Sequence, residues 1–189
     1  MNKPPYYIVN AITLYRLLAA FALLFVIYIH EIAIFKWLLA FSFFTDLVDG
    51  YIARRYKVVS VMGARLDSIA DDLTFLMAAI AVFVLKPEFI HREIIFIILL
   101  LGMYLIQTVS ALIRYGKMTS FHTYTAKLAA ILQGSFLILL FFLPQYPRLL
   151  FYLAAGFTML DLIEETVLVL LLPQWKADVK GVFWLKKRE

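Results

Sequence analysis

Two pairs of aspartates set the chemistry that this chain can perform. Asp46 and Asp49 stand three residues apart at the end of one apolar stretch, and Asp67 and Asp71 stand four apart at the start of the next. Both spacings put the two members of a pair on one helix face. Of the chain's 13 acidic residues, five (these four and Asp72) fall between positions 46 and 72, inside sequence that otherwise reads as membrane. Ionised groups at membrane depth cost several kcal/mol unless paired, hydrated or bound to metal. Four converging carboxylates therefore need cations. Oxygen-only ligands suit hard ions such as Mg²⁺, Mn²⁺ or Ca²⁺ rather than zinc or copper. Four carboxylates can hold two such ions, an arrangement that activates an attacking oxygen and steadies a leaving phosphate.

The residues between the pairs fit phosphate. Gly50 has no side chain, so a phosphate or sugar can approach the helix closely, and Ala53 keeps the wall low one turn later. Arg54 continues the same face and offers a planar fork of donors for phosphate oxygens. A short turn around Gly63 is expected to bring the two aspartate faces together. The competing structural reading, buried ion pairs in which Arg54 and Arg65 neutralise the aspartates, leaves two cations to cover all the charge. Asp72 falls off the shared face.

The elements that position these groups are membrane helices. The chain has 189 residues, 64% of them hydrophobic, and a mean hydropathy of +0.88; soluble domains are about half apolar. Punctuation divides it into six expected spans at about 11–29, 34–52, 68–85, 94–113, 126–143 and 149–172. The expected fold is an all-α, polytopic six-helix bundle forming a single domain over residues 1–189. The apolar runs are continuous, unlike the alternating ~10-residue segments of a membrane barrel. The first run, with no small-residue cleavage site after it, reads as a retained helix. The absence of cysteine excludes disulfides and thiolate metal sites. With the N-terminus cytoplasmic, 14 of the 18 basic residues lie on that side, and only Lys36, Lys86, Arg92 and Arg148 lie on the other. The positive-inside rule then puts both termini and the acidic motif in the cytoplasm. The same bias accounts for the net charge of +5, so no nucleic-acid partner is needed.

The string Asp46-x2-Asp49-Gly50-x2-Ala53-Arg54-x8-Gly63-x3-Asp67-x3-Asp71 resembles the complete signature of the CDP-alcohol phosphotransferase family. The length and span plan are similar to bacterial members, the phosphatidylglycerophosphate synthases in particular. The resemblance implies a membrane enzyme that moves a substituted phosphate from a CDP-linked donor to an alcohol and releases CMP. It implies that Asp46, Asp49, Asp67 and Asp71 hold two divalent metals, Mg²⁺ or Mn²⁺, that Gly50, Ala53, Arg54 and Gly63 line the nucleotide and pyrophosphate pocket, and that Asp71 is the general base. It further implies CDP-diacylglycerol as donor, a homodimer, and a bacterial inner membrane with the site facing the cytoplasm.

Residues outside the signature bear on the second substrate. Asn10-x2-Thr13-x2-Arg16 resembles the start of glycerophosphate-type members, without the usual proline, and suggests Thr13 and Arg16 near a phosphate. The alternative for Arg16 is a snorkelling side chain. Arg114, Lys117 and Lys127 flank the segment between spans four and five and suggest a phosphorylated acceptor, glycerol 3-phosphate first and inositol phosphate second. Serine is an unphosphorylated alternative. Gly116-Lys117-x-Thr119 resembles a stretch of phosphatidylglycerophosphate synthases but lacks its second lysine. His122 reads as a hydrogen-bonding surface residue. Asp161, Glu164 and Glu165 in span six are expected to pair with a basic residue of the active-site cavity. Trp37, Tyr146 and Trp175 sit at span ends, where interfacial anchoring suffices. A cation transporter is the alternative of a different class, although its site belongs at the bilayer midplane with interrupted helices. A prenyl-diphosphate enzyme would leave Arg54 and Gly63 unexplained.

Overall fold

Helix boundaries follow the chain's own punctuation more tightly than the expected spans. The computed structural model describes residues 4–56 and 61–184, without the side chains of residues 4–6, 8–10, 53, 54, 61, 62, 64 and 65. Among the described residues all regular structure is helical: α1 (Pro4–Tyr28), α2 (Ile32–Tyr56), α3 (Val61–Leu85), α4 (Pro87–Tyr115), α5 (Tyr124–Phe142) and α6 (Arg148–Leu171), then a 3₁₀ turn at Val182–Trp184. The turn after α1 is carried by His30 at φ 60°. Lys86 alone separates α3 from α4, because Pro87 lacks the N–H that a helix interior needs but suits a first helical position. α5 begins where the Thr123 hydroxyl accepts from the Ala126 N–H, a side-chain N-cap.

One expectation needs correction. Gly63 lies within the first turn of α3 and not in a turn between helices; residues 57–60 lie outside the description. Asp67 and Asp71 consequently sit in the second and third turns of a longer helix. The six expected spans correspond to six helices, but only α1, α3, α4 and α5 contain windows long and apolar enough to cross a membrane among the described residues. α2 and α6 fall short because they carry ionisable side chains: Lys36, Asp46 and Asp49 on one, Asp161, Glu164 and Glu165 on the other. Apolar side chains face outward along whole helix faces, as with Leu14, Leu18, Phe21 and Phe25 on α1. Contiguous exposure of that kind suits lipid and not water.

The helices form two compact units, divided between Ile90 and His91. In the first, α1 packs along both α2 and α3, which touch each other less. Leu23, Phe35 and Leu39 are wholly buried there, and Ala70, Ala78 and Ala81 give α3 a smooth face for close approach. Tyr15 meets Phe41 edge to face at 5.5 Å between ring centroids.

In the second unit α5 packs along α6. α4 is kinked at Glu93 (φ −111°, ψ 18°). The buried Glu93 carboxylate accepts from the Tyr146 hydroxyl at 2.6 Å and the Tyr152 hydroxyl at 3.2 Å. That hydrogen bond raises the Tyr146 phenol above its ordinary range. Beyond α6 the chain runs back beside residues 120–124. Asp178 N donates to Ser120 O at 3.1 Å, His122 N to Val179 O at 3.2 Å and Tyr124 N to Lys180 O at 3.3 Å. Val179 joins Ala111, Phe121, Leu168 and Val169 in a small core. Gly181 then turns at φ 142°, which only glycine adopts freely.

A Cβ at Gly181 would lie 2.7 Å from the Glu164 carboxylate, which is already held by the Val182 N–H. Gly181→Ala should therefore weaken the docking of the C-terminal segment by about 1–3 kcal/mol. Limited proteolysis at Lys176 and Lys180 should accelerate about tenfold, since cleavage follows the open population. An unchanged cleavage rate would contradict this account of the segment.

Candidate active site

The first unit assembles its charged groups from three helices. Asp46 and Asp49 come from the second half of α2, Asp67 and Asp71 from the first half of α3, and Arg16 from the middle of α1. Arg16 is 1% exposed, and its guanidinium is the point on which all four carboxylates converge. Nη1 lies 2.8 Å from Asp46 Oδ1, 2.9 Å from Asp67 Oδ1 and 3.6 Å from Asp49 Oδ2, while Nη2 pairs with Asp71 Oδ1. Thr13 is buried one turn before Arg16 on the same face.

The cluster has a floor and a rim. Asp49 is 2% exposed, whereas the side chains of Asp46, Asp67 and Asp71 keep 36%, 37% and 46% of their surface open. Burial is therefore concentrated on one carboxylate. Neither oxygen of Asp49, nor Nε of Arg16, has a hydrogen-bond partner among the described residues. Leaving a buried ionised group so poorly satisfied costs several kcal/mol, so the floor of the cluster calls for more positive charge than one guanidinium supplies.

A hard divalent cation fits that demand. One oxygen from each of Asp46, Asp49 and Asp67 lies within 4.8 Å of the others. Oxygens on opposite sides of a Mg²⁺, Mn²⁺ or Ca²⁺ ion, each at about 2.0–2.6 Å, stand about 4–5 Å apart. Asp71 completes the group through its shared contact with Arg16. Gly50 and Gly63 are half-buried beside these aspartates in sequence. The side chains of Ala53 and Arg54, expected to line the pocket, lie outside the described residues, and so do those of Asn10 and Arg65. Asp72 is exposed, as its place off the shared face requires.

The second unit holds the remaining polar residues. Asp161 accepts from Thr123 at 2.8 Å and from Thr125 at 3.2 Å. Glu164 accepts from Thr125 and from the Val182 N–H, and Glu165 from Gln107 at 2.7 Å and Thr119 at 3.1 Å. The expected pairing of these acids with a basic side chain is therefore corrected: among the described residues they are served by hydroxyl, amide and backbone donors. The nearby cations are turned elsewhere. Arg114 Nε donates to Leu172 O at 3.0 Å, at the α6 C-terminus where a cation complements the helix dipole. Lys117 Nζ stands 3.7 Å from the centre of the Trp175 ring, and Lys127 Nζ stands 5.5 Å from that of Tyr124. His122 is exposed, 3.5 Å from Asp178. Trp175 donates from its ring to Met118 O at 3.0 Å, a packing role beyond interfacial anchoring.

Sequence reasoning missed the central position of Arg16 among the aspartates. The available signal was a lone arginine in an otherwise apolar first span, three residues after Thr13, with acids in both following helices.

Residues 6–160 match the CDP-alcohol phosphatidyltransferase family, and the chain belongs to that family. Among curated relatives, a phosphatidylcholine synthase of Legionella pneumophila is 35% identical over 74 residues, covering 37% of this chain and 29% of the relative. A CDP-diacylglycerol–inositol 3-phosphatidyltransferase of Saccharomyces cerevisiae is 41% identical over 66 residues, covering 35% of this chain and 30% of the relative. The matched segments thus span less than a third of these relatives' lengths. No solved structure matches the chain. Family membership, with four helices apolar enough to cross a bilayer, supports an integral membrane protein and a transferase.

The floor of the cluster yields a direct test. Asp49→Asn removes a buried negative charge that has only the 3.6 Å contact with Arg16 and no hydrogen bond among the described residues, so in EDTA the variant should be more stable by about 1–3 kcal/mol. Thermal unfolding in detergent should rise by several degrees, at about 2–4 °C per kcal/mol for a chain of this size. A lower midpoint would show that Asp49 is satisfied in the metal-free protein.

Proposed function

We propose that this protein transfers the phosphatidyl group of CDP-diacylglycerol to a small alcohol and releases CMP. The observation that carries the reading is the convergence of Asp46, Asp49, Asp67 and Asp71 on one buried cationic group, in a chain of this family. These aspartates would hold two divalent cations, Mg²⁺ or Mn²⁺, which when bound neutralise the donor's pyrophosphate and the departing CMP.

The chain's own groups account for the rest of the reaction. The donor's acyl chains stay in lipid while its pyrophosphate meets the open rim of the cluster. Gly50 lets the nucleotide approach α2, and Arg54 offers its fork to a phosphate. Asp71, the most exposed of the four, takes the proton of the acceptor hydroxyl. The oxygen attacks the phosphorus that carries the diacylglycerol, the P–O bond to CMP breaks, and CMP leaves. Positioning and charge neutralisation dominate such transfers.

An acceptor without a phosphate of its own is favoured. Glycerol 3-phosphate rested on Arg114, Lys117 and Lys127, which instead engage Leu172, Trp175 and Tyr124. The curated relatives are named for phosphatidylcholine and for transfer to inositol, and neither name specifies a phosphorylated acceptor. The basic-residue bias supports six spans with both termini and the site on the cytoplasmic side of a bacterial inner membrane. The family match runs from residue 6 to residue 160 and supports one functional domain, and a homodimer is the assembly that the family resemblance suggests.

The decisive assay supplies purified protein with Mg²⁺ or Mn²⁺, CDP-diacylglycerol and a panel of choline, inositol, serine, glycerol and glycerol 3-phosphate, and follows CMP. Metal-dependent release is expected with one of the unphosphorylated alcohols. Asp67→Asn and Asp71→Asn should each lower turnover by about 100-fold or more. Undiminished turnover in both variants would remove the cluster from the reaction, and release with glycerol 3-phosphate alone would restore the phosphorylated acceptor.

A further inference from the structure

We infer that Arg16 is a built-in counter-cation, occupying the place of the divalent ions in the metal-free protein and displaced when they bind. The inference rests on the reading of the aspartate cluster as a metal centre. It extends that reading to a residue of another helix, outside the aspartate motif.

The geometry sets up a competition. Arg16 is almost wholly buried and lies among the carboxylate oxygens of α2 and α3. A cation bound by Asp46, Asp49 and Asp67 needs the volume between oxygens that already stand within 4.8 Å of one another. Nη1 of Arg16 contacts all three of those residues. The guanidinium and a cation cannot both have that place.

Arg16 is also an incomplete substitute. Its Nη1 carries two hydrogens, and Asp46 and Asp67 take the two short contacts. Asp49 stands farther off at 3.6 Å, with both its oxygens unpartnered among the described residues. Nε is buried without a hydrogen-bond partner among the described residues. Among the described residues one positive charge is set against four carboxylates, which leaves most of their mutual repulsion in place. Arg16 therefore keeps the two aspartate pairs together without satisfying them. A divalent ion, taking several oxygens at short range, replaces it.

This arrangement makes cation binding conditional on releasing the side chain. The apparent affinity equals the intrinsic affinity scaled by the fraction of molecules in which Arg16 has swung out. Arg16 thus sets the cation concentration at which the centre loads, and it supports the fold below that concentration.

The test uses the full chain in detergent, stripped with EDTA and titrated with Mn²⁺ without lipid donor, with bound ion read by electron paramagnetic resonance. Arg16→Gln should bind Mn²⁺ about tenfold more tightly than the wild type. It should unfold at a lower temperature in EDTA and gain more on Mn²⁺ addition. Arg16→Lys, which keeps a cation near the carboxylates, should restore an affinity near that of the wild type. Unchanged or weaker Mn²⁺ binding in Arg16→Gln would overturn the inference while leaving the metal centre standing. An absence of Mn²⁺ binding in the wild type would overturn both. A second measurement needs no folded variant: phenylglyoxal modification of Arg16 in the wild type, located by peptide mass, should rise about threefold or more on Mn²⁺ addition as the fraction swung out grows. Equal modification with and without Mn²⁺ would show that the guanidinium does not leave.

Discussion

Four carboxylates drawn to one point within apolar helices are the constraint around which the first unit is arranged. Like charges at this range repel strongly where the effective dielectric is low. The repulsion acts between α2 and α3, because each contributes one pair. Those two helices touch each other little, and α1 fills the position between them, carrying the one described cation of the cluster into it. α1 is thus both the packing partner of α2 and α3 and the source of the charge that lets their acids face the same place.

The apolar packing around the cluster is built so that few other polar groups compete for that charge. Ser42 and Thr74 are wholly buried, and each hydroxyl donates to the carbonyl four residues earlier on its own helix. Self-bonding of this kind uses the hydroxyl proton within its own helix. Alanines at positions 70, 78 and 81 bring backbones close where large side chains would hold them apart. The second unit handles its own three acids differently, with neutral donors from several segments. Of the helices that carry these acids, α2 and α6 fall short of simple membrane-crossing criteria, while α3 meets them with Asp67 and Asp71 in its first half.

The aspartate pairs were legible because their chemistry is local. Spacings of three and four on helices put Asp46 with Asp49 and Asp67 with Asp71, whatever else the chain does. Arg16 was visible as a polar residue in an apolar span, but its partners lie one and two helices away, and no periodicity carries that information. The acids of α6 show the same limit: their facing side was predictable, while Thr123, Thr125 and the Val182 N–H reach them from distant segments. Gly63 was misplaced for another reason. Glycine often marks a turn, yet it is tolerated inside a helix whose remaining residues favour helix. The expected spans left residues 86–93 as a connection, whereas Lys86 alone separates α3 from α4.

The closing strap of the second unit has a consequence for the order in which that unit matures. A chain is made from its N-terminus, so α6 and its acids emerge before residues 178–182 exist. During that interval Glu164 lacks the backbone donor of Val182, and the segment ahead of α5 lacks its hydrogen-bonded neighbour. The finished arrangement depends on the strap arriving last and folding back, as a clasp is fastened once a lid is already down. Translation and membrane insertion thus deliver a helix pair whose polar seam stays open until the chain beyond it has been made.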